Sequence, residues 1–418
     1  MCIRDSLRTN ASIMEIKVLI INSGPLPIPN IRGGGVESLI QMFISNTSLM
    51  SVTVVSVYDV DAITLSQKLS NINFKYINYN RKKNIVSRVV YHILNRISNK
   101  PVANSYIHKV IQQVDVSKYD IVVSENGVGF GAYLRRFTNA KLVLHLHNDW
   151  LNVSTRHACT LKQSFDEVWT ISKFLKDRAD EIPCDTKTRV LYNGVDLALF
   201  SHHDNKLISD LRSRYNISYN DFVVVSCSRI VEEKGIVQLQ NAFKQFKTLY
   251  NIENAKLLII GNVDSANEYG RRVIENTDQD MVCSGYIAHE ELPNVLSLAS
   301  VVVAPTVHLS RNYRDGKYFG VQEGLNLTVI EALSLGKPVI ISDSGGMPEI
   351  LLDQAVGRII SADESKMEPE LVEALHQRYR TPVTADLSER CVSVAKAFSM
   401  ERYCETYENY IIEALEIN

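Results

Sequence analysis

The sequence predicts an α/β protein made of two successive domains with open parallel sheets. Short apolar runs rich in β-branched residues alternate with helical patterns along the chain, and each run has the length of a buried strand. Residues 17–21 (KVLII) form the first run. Residues 222–226 (FVVVS) begin a second set in which predicted strands and helices alternate in the same way. A turn signal at 192–196 (YNGVD) separates the two sets. The 418 residues are enough for two or three domains, so we expect one α/β domain in each half.

Each half contains several predicted strands separated by helical segments. The predicted strands are 17–21, 51–57, 73–77, 120–123, 141–145 and 167–171 in the first half, and 222–226, 256–261, 282–283, 301–304 and 338–342 in the second. The segment 399–415 is amphipathic and predicts a last helix with one apolar stripe. That stripe contains Tyr403, Tyr407, Tyr410, Ile411 and Leu415.

The composition argues against several classes of protein. A net charge of −2 gives no indication of nucleic acid as a partner. Seven scattered cysteines without a C-x-x-C pair argue against a zinc site or a disulfide framework and suit a reducing cytoplasm. No uncharged apolar run reaches the roughly 18 residues of a membrane span. Residues 1–13 (MCIRDSLRTNASI) lack the apolar core of a signal peptide and match no strand pattern. We therefore hypothesise a non-native leader before Met14, arising from sequencing or cloning.

The stretch 323–349 carries an isolated charge on an apolar helix. It reads as a loop, a helix at 327–335, a buried strand, and a glycine-rich turn into a second helix. Glu331 is the only charge in the first helix, so it requires either a basic partner in the core or a ligand with hydroxyl groups. Glu323 lies eight residues earlier, and the amides of residues 325–327 between the two carboxylates can hold an anion. The arrangement fits a sugar nucleotide, which has hydroxyls at both ends and phosphates in the middle.

Two cations follow the strand predicted at 222–226. Arg229 and Lys234 belong to the segment SRIVEEKG. In a parallel sheet they lie at the carboxyl edge, where ligands of α/β proteins bind, and together they can hold a diphosphate. The alternative is a solvated turn in which Glu232 and Glu233 balance both cations.

Three features of the first half are weaker indications. Residues 33–35 (GGG) stand between a strand and a helix, where amides can approach phosphates, but a plain turn explains them equally well. His145 and His147 alternate on one strand and therefore share a face. His147, at the strand's end and the mouth of the expected cleft, can contact a sugar or a leaving phosphate, although a lone strand histidine is usually structural. Asp59 and Asp61 have the spacing of a divalent-ion site, but this tripeptide is common by chance.

The segment 62–114 has a strong charge bias. It contains nine Lys and Arg residues and no Asp or Glu. A helical stripe within it is apolar and lies opposite a basic face; its members are Ile85, Val86, Val89, Val90, Ile93, Leu94 and Ile97. Such a helix can rest on an anionic membrane surface. The alternative is that the stripe packs on the sheet of its own domain and the basic face is solvated.

Taken together, these motifs resemble those of the retaining glycosyltransferases of family four, which have the GT-B fold. The resemblance covers nearly all of residues 14–418 and rests on GGGVES, HLHNDW, VWTISKFLK, LYNGVDLALF, SRIVEEKG, LLIIGN, VCSGYIAHEELPNVLSLASVVVAPT and EGLNLTVIEALSLGKPVIISDSGGMPEIL. It implies two Rossmann-like parallel-sheet domains that face a central cleft. An acceptor-binding domain would span 14–195, a nucleotide-sugar-binding domain 196–398, and a helix at 399–418 would cross back to the first domain.

The resemblance also implies roles for individual residues. Arg229 and Lys234 match the pair that neutralises the donor diphosphate. Glu331 matches the carboxylate that binds the ribose hydroxyls, Glu323 the one beside the donor sugar, and His147 the histidine at that sugar. The remaining implied binding residues are Gly34 and Gly35 near the phosphates and acceptor, Tyr286 and Ile287 around the nucleobase, and Gly324, Leu325, Asn326 and Leu327, whose amides hold sugar and phosphate.

The implied activity is the transfer, with retention, of a hexose or N-acetylhexosamine from a nucleotide-diphosphate sugar to a hydroxyl acceptor in polysaccharide or glycolipid synthesis. The expected partners are this donor and a glycan or lipid-linked acceptor. No cofactor or metal is expected, because cations and helix amides supply the positive field. The expected location is the cytoplasm, either free or on the inner face of the plasma membrane. Leu325-Asn326, where the family often has Phe-Gly, and the long segment 308–321 leave the sugar open.

Three alternatives remain. A sugar-nucleotide epimerase of the same fold would turn over the donor without an acceptor. A glycosidase using Glu323 and Glu331 would need no nucleotide, and the two cations argue against it. A non-catalytic binding protein would bind the nucleotide sugar without turnover.

Overall fold

The three-dimensional structure is a computed structural model. It describes residues 16–47, 50–69, 72–79, 89, 91, 93–94, 97–98, 100–102, 104–201, 204–314, 317–318 and 320–416. The hypothetical leader and Met14 lie outside these ranges. The chain divides into two compact units. Unit 1 comprises the residues up to Gly194 together with those from Met400 onwards, and unit 2 is Val195–Ser399.

Unit 1 is built on a seven-stranded parallel sheet. Its strands are β1 (Ile16–Asn22), β2 (Met50–Val57), β3 (Asn73–Ile77), β4 (Ile121–Glu125), β5 (Lys141–Leu146), β6 (Glu167–Thr170) and β7 (Lys187–Val190). Its helices with described bounds before residue 195 are α1 (Gly35–Asn46), α2 (Val60–Ser66), α3 (Ser105–Gln113), α4 (Gly131–Leu134), α5 (Ala158–Gln163) and α6 (Lys173–Asp180), with a 3-10 turn at Val116–Lys118. The strand order β3-β2-β1-β4-β5-β6-β7 changes direction between β1 and β4.

The central strands of this sheet are buried on both faces. In β1 the side chains of Val18, Leu19, Ile20 and Ile21 are at most 1% exposed. A continuous apolar run of this kind suits a parallel strand that is covered on both sides. Polar side chains accordingly collect where the strands end, beginning with Asn22, the last residue of β1.

Unit 2 contains a six-stranded parallel sheet in the order β10-β9-β8-β11-β14-β15 and a small antiparallel hairpin. The sheet strands are β8 (Phe222–Cys227), β9 (Ala255–Ile260), β10 (Met281–Gly285), β11 (Val301–Ala304), β14 (Val339–Ser342) and β15 (Gly357–Ile360), and the hairpin strands are β12 (Tyr313–Arg314) and β13 (Lys317–Tyr318). The helices are α7 (Asn205–Arg214), α8 (Ile236–Leu249), α9 (Glu268–Glu275), α10 (Leu292–Leu296), α11 (Leu327–Ser334), α12 (Glu364–Arg380) and α13 (Ala385–Lys396). Short 3-10 turns lie at Leu199–Ser201, Glu232–Lys234, Ser310–Asn312, Met347–Ile350 and Gln354–Val356.

The last helix, α14 (Met400–Ala414), belongs to unit 1 and completes its core. Tyr407 is 1% exposed, and its ring centroid lies 4.0 Å from that of Phe43 and 5.2 Å from that of Trp169. Tyr403 meets the same Phe43 ring edge-on. The apolar stripe predicted at 399–415 is thus the face of α14 that packs in unit 1.

Every predicted strand lies in one of the two sheets, with ends that agree within two residues. The sequence does not predict β7, β15 or the hairpin β12–β13, which occupies part of the long segment 308–321. The second helix expected within 323–349 is wrong, because only a 3-10 turn follows the glycines, at Met347–Ile350. Pro348 lies at the first turn there, and the turn ends after four residues.

The amphipathic stripe of the basic segment is exposed where the structure describes it. Residues 89, 91, 93–94 and 97 are helical, and the side chains of Val89, Ile93, Leu94 and Ile97 are 42% exposed or more. At these exposures the four side chains are not buried, as the second of the two interpretations above would require. Ile85, Val86 and Val90 lie outside the described residues. None of the helices within those described ranges has both the length and the apolar character required to cross a bilayer.

Candidate active site

The polar residues predicted in unit 2 meet at the carboxyl edge of its sheet. β8 and β11 are neighbours, but the chain continues from β8 to β9 on one side and from β11 towards β14 on the other. The connections after two such strands run to opposite sides of the sheet and open a crevice between them. Ligands of α/β proteins bind in this crevice. Arg229 and Lys234 follow β8, and Glu323 lies in the connection after β11.

Lys234 and Glu323 form a hydrogen-bonded ion pair. Both side chains are 17% exposed, so the pair is largely removed from water yet reachable by a ligand. The alternative of a turn balanced by Glu232 and Glu233 is wrong for Lys234, since its carboxylate partner comes from 89 residues further along the chain. Glu232 instead accepts a hydrogen bond from Arg311 at 3.1 Å. Arg229 lies in the same loop as Lys234 and is exposed.

A glycine turn holds the backbone at Glu323. The carbonyl of Glu323 accepts a hydrogen bond from the amide of Gly346 at 2.8 Å. Gly345 has a φ of 58°, and a Cβ at that residue would lie 2.0 Å from the same carbonyl oxygen. Only glycine permits both the conformation and the approach. The turn at the end of β14 therefore positions the loop that carries Glu323.

Helix α11 begins later than the predicted anion site requires. Asn326 is its N-cap, and the Asn326 side chain accepts a hydrogen bond from the amide of Val329 at 3.3 Å. The first-turn amides left by this cap are those of Leu327 and Thr328. Of the predicted residues, Gly324, Leu325 and Asn326 precede the helix, so their amides belong to the loop and not to a helix terminus.

Glu331 is buried on α11 and its partner is a histidine. The Glu331 side chain is 7% exposed and lies 3.0 Å, Oε1 to Nε2, from His289. The hydrogen bond to this carboxylate raises the pKa of His289, and the Glu331 charge adds to the effect. The sequence predicts that Glu331 needs a basic partner or a ligand, but it does not identify His289 as that partner. The loop after β10 that carries His289 also carries Ile287 and Tyr286, whose side chain is 72% exposed and open to stacking.

In unit 1 the structure buries His147 against a carboxylate. His147 follows β5, its side chain is 4% exposed, and its Nε2 lies 2.7 Å from Oε2 of Glu125, the last residue of β4. His145 shares this face, as predicted, with its Nδ1 3.0 Å from the same oxygen but not aligned for a hydrogen bond. His147 is therefore less accessible than the mouth of a cleft would make it. Glu125 is not predicted as a site residue from the sequence, because it follows a buried apolar run and resembles the start of a loop.

The charges of this cluster follow from its burial and its contacts. Burial acts to raise the pKa of Glu125, but the neighbouring His145 and the hydrogen bond from His147 outweigh it and lower the pKa to about 2. Burial, together with the charge of His145, lowers the pKa of His147 to about 4 despite the opposing effect of Glu125. At neutral pH the ionised Glu125 carboxylate therefore accepts a hydrogen bond from the neutral His147 ring.

The same three residues are potential metal ligands, because their ligand atoms lie within 4.8 Å of one another. Tetrahedral zinc with bonds of about 2.0–2.1 Å keeps its ligand atoms roughly 3.3 Å apart. The 2.7 Å between Glu125 Oε2 and His147 Nε2 is shorter than this and matches a charge-assisted hydrogen bond. The spacing fits a hydrogen-bonded network better than a metal centre.

The glycine-rich loop of unit 1 encloses a carboxylate. Gly34 has a φ of 125°, and a Cβ there would lie 2.3 Å from Oε2 of Glu37, a residue of α1. Glu37 is 5% exposed and accepts a hydrogen bond from Asn22 Nδ2 at 3.3 Å. Burial raises the pKa of Glu37. A phosphate at Gly34 would meet this carboxylate, so that position suits a hydroxyl group better than the phosphate considered from the sequence, whereas Gly35 is exposed with open space around it.

The Asp59 and Asp61 pair is not a metal site in this arrangement. Asp59 caps helix α2 by accepting hydrogen bonds from the amides of Asp61 and Ala62. Its other oxygen is 2.8 Å from Arg32. These contacts account for the carboxylate.

Two successive α/β units, each with a parallel sheet whose carboxyl edge carries polar side chains, are the architecture of the GT-B class. Two family models match the chain. "Glycosyltransferase Family 4" matches residues 56–199, and "Glycosyl transferases group 1" matches residues 208–395. The two matches together cover most of the chain. The chain therefore belongs to the glycosyltransferases that these two models describe.

Curated relatives are similar over much of their length. The chain is 23% identical over 312 residues to a lipopolysaccharide 1,2-N-acetylglucosaminetransferase of Salmonella typhimurium, covering 72% of this chain and 75% of that protein. It is 25% identical over 284 residues to a GDP-mannose-dependent α-(1-6)-phosphatidylinositol monomannoside mannosyltransferase of Mycolicibacterium smegmatis, covering 66% and 72% respectively.

Solved structures confirm the fold. The chain matches Anabaena HepE in complex with UDP-glucose with a TM-score of 0.71 and 19% identity, over 96% of this chain and 100% of that one. A glycosyltransferase from Rickettsia africae also gives a TM-score of 0.71, at 16% identity, over 97% and 100%. The predicted α/β, GT-B fold class is thereby confirmed.

Proposed function

We propose that the protein is a retaining glycosyltransferase that moves a hexose or N-acetylhexosamine from a nucleotide-diphosphate sugar to a hydroxyl acceptor. The observation that carries the proposal is the Lys234–Glu323 pair at the carboxyl edge of the unit 2 sheet, on the same connection that leads to buried Glu331. Lys234 is a cation for the phosphates, and the two carboxylates, Glu323 beside it and Glu331 further along the connection, are acceptors for hydroxyl groups.

The donor is assigned to these residues by charge and position. Lys234 has three ammonium protons and uses one on Glu323, so it can bind a phosphate oxygen without giving up that contact. Exposed Arg229 and the free first-turn amides of α11 supply further donors. Glu331 keeps one oxygen for a ribose hydroxyl while the other accepts from His289.

The proposed reaction is a same-face displacement. The bond between the anomeric carbon and the leaving phosphate oxygen breaks, and the acceptor oxygen bonds to the anomeric carbon on the same face. The acceptor proton passes to the leaving phosphate, whose growing charge Lys234 and Arg229 stabilise. Because these two side chains supply positive charge at the leaving phosphate, we propose a reaction that does not depend on a metal. We assign the loop of Gly34 and Gly35, with Glu37 behind it, to an acceptor hydroxyl.

The direct test is a ligand screen followed by turnover. We expect one class among UDP-, GDP- and ADP-sugars to raise the melting temperature of the purified protein, since a ligand at 100 times its Kd stabilises by about 2.7 kcal/mol. That donor should then be consumed faster when a hydroxyl acceptor is present. No stabilisation by any of the three classes would contradict the proposal.

The same experiment separates the alternatives. An epimerase would convert the donor to a second nucleotide sugar without an acceptor. A binding protein would show the stabilisation and no turnover. A glycosidase would hydrolyse a glycoside that has no nucleotide.

We also propose that the acceptor is lipid-linked or part of a cell-surface glycan, and that the basic segment 62–114 holds the protein at the cytoplasmic face of the membrane. Both curated relatives described above act, by name, on a lipopolysaccharide or on a phosphatidylinositol mannoside. Exposed apolar side chains within a segment that has nine cations and no acidic residue are typical of an interfacial helix.

We expect the protein to sediment with vesicles that contain anionic lipid, and to do so less at high salt. Replacing Ile93 and Ile97 by serine should weaken this binding about tenfold or more, because both side chains would lie in the interface. Leu249→Ser is the matched control, since Leu249 is 68% exposed and belongs to unit 2. Equal binding to neutral vesicles, or equal loss in the control, would contradict membrane docking through this helix.

A further inference from the structure

We propose that Glu125 is a positioning residue that holds the proton of His147 on Nε2 and so presents the bare Nδ1 of that ring as a hydrogen-bond acceptor for a sugar hydroxyl. The inference rests on the proposed function for the identity of the ligand, and on the structure of unit 1 for the position of the proton.

Nε2 of His147 faces a carboxylate, and this acceptor fixes the position of the proton. Glu125 is 1% exposed, and its Oε2 lies 2.7 Å from Nε2 of His147. A carboxylate that stays ionised has only lone pairs to offer, so the hydrogen between the two atoms must belong to the imidazole. The pKa of Glu125, lowered to about 2, keeps it ionised throughout the physiological range.

The charge of the His147 ring decides whether Nδ1 can accept a hydrogen bond. A neutral imidazole carries one proton, and if that proton is on Nε2 then Nδ1 has a lone pair. The pKa of His147, lowered to about 4 first by burial and then by His145, keeps the ring neutral. A neutral acceptor binds a hydroxyl donor, whereas an imidazolium would bind a phosphate. The neutral ring therefore favours a sugar hydroxyl, and not the leaving phosphate, as the partner of His147.

The surrounding strands hold the Glu125 carboxylate in a fixed position. Glu125 is the register partner of His145 across β4 and β5, and of Asn22 across β1 and β4, so its side chain leaves the sheet at a fixed place. His145 approaches the same Oε2 at 3.0 Å and is completely buried, with Tyr407 of α14 at 6.2 Å between ring centroids. The His147 backbone is fixed separately, because its amide donates to Asn126 Oδ1 at 2.9 Å.

The kinetic test is a double-mutant cycle. Glu125→Gln and His147→Ala should each lower kcat/KM for transfer by about 10–100-fold, the usual effect of removing an orienting partner. If Glu125 acts through His147, the double variant should be no slower than His147→Ala alone. Glu401→Gln is the control, an exposed carboxylate on α14 of the same unit, and should leave the rate unchanged. Additive losses in the double variant would overturn the positioning role.

The spectroscopic test needs no turnover. In protein with ¹⁵N-labelled histidine, we expect the wild-type His147 ring to be neutral at pH 7 with a slowly exchanging proton on Nε2. His147→Ala assigns the signal, and Glu125→Gln should speed its exchange with water. A proton on Nδ1, or one equivalent of zinc bound to the purified protein through this ring, would overturn the proposal. If the spectrum agrees but no nucleotide sugar is turned over, the proposed function fails while the assignment of the proton stands.

Discussion

Lys234→Ala is expected to lower kcat for sugar transfer by about 10²–10³-fold, which corresponds to roughly 2.7–4 kcal/mol of transition-state stabilisation. The leaving diphosphate gains charge as its bond to the sugar breaks, and Lys234 is the largely buried cation at the edge of the sheet where we place it. An interaction that strengthens as the bond breaks affects kcat more than KM. Initial rates at saturating donor measure this effect. Lys366→Ala, at an exposed position on α12, should leave the rate unchanged.

The ion pair with Glu323 allows a sharper version of this experiment. Lys234→Ala leaves the Glu323 carboxylate, which is 17% exposed, without its partner, so lost activity by itself does not separate chemistry from structure. The double variant Lys234→Met with Glu323→Gln removes both charges. We expect its melting temperature to recover towards that of the wild type while kcat remains low. Recovery of kcat along with stability would show that Lys234 serves only to neutralise Glu323.

The strands were predictable because their signal is local. Runs such as that of β1 are apolar and β-branched over five or more residues, and burial on both faces follows directly from them. β7 (KTRV) escapes this reasoning, because an edge strand with two cations and half-exposed side chains has no such run. The 3-10 turn at Met347–Ile350 was not predictable for the opposite reason. The sequence there indicates the start of a helix, but the helical turn ends after four residues.

Only those site residues were predictable whose type is unusual for the helix or strand in which they lie. Glu331 is conspicuous as the one charge on an apolar helix. Its partner His289 is 42 residues away and is brought to it by the order of strands in the sheet, which a single sequence does not contain. Glu125 and His147 are likewise joined only because β4 and β5 are neighbours in register. The sequence therefore predicts which groups need partners and leaves the partners to the fold.

Glu331→Gln is expected to raise the KM for the donor by about 10–100-fold and to change kcat much less. A hydrogen bond to a charged group contributes about 1.5–3 kcal/mol, and the ribose is remote from the bond that breaks, so the contact is equal in the ground state and the transition state. Glutamine keeps the volume of a side chain that is only 7% exposed and can still accept from His289. Glu268→Gln, on the exposed first turn of α9, is the matched control.

The assignment of Glu331 to a ribose hydroxyl can be checked without catalysis. The nucleoside diphosphate of the preferred donor should bind the wild type more tightly than its 2′-deoxy or 3′-deoxy analogue, and one of these differences should disappear in Glu331→Gln. The loss of discrimination arises because the carboxylate, not the rest of the site, distinguishes a hydroxyl from a hydrogen. His289→Ala should keep the discrimination, since the second carboxylate oxygen is still available to the ribose. If Glu331→Gln still distinguishes all three nucleotides as the wild type does, the buried carboxylate serves the packing of α11 and His289 and not the donor.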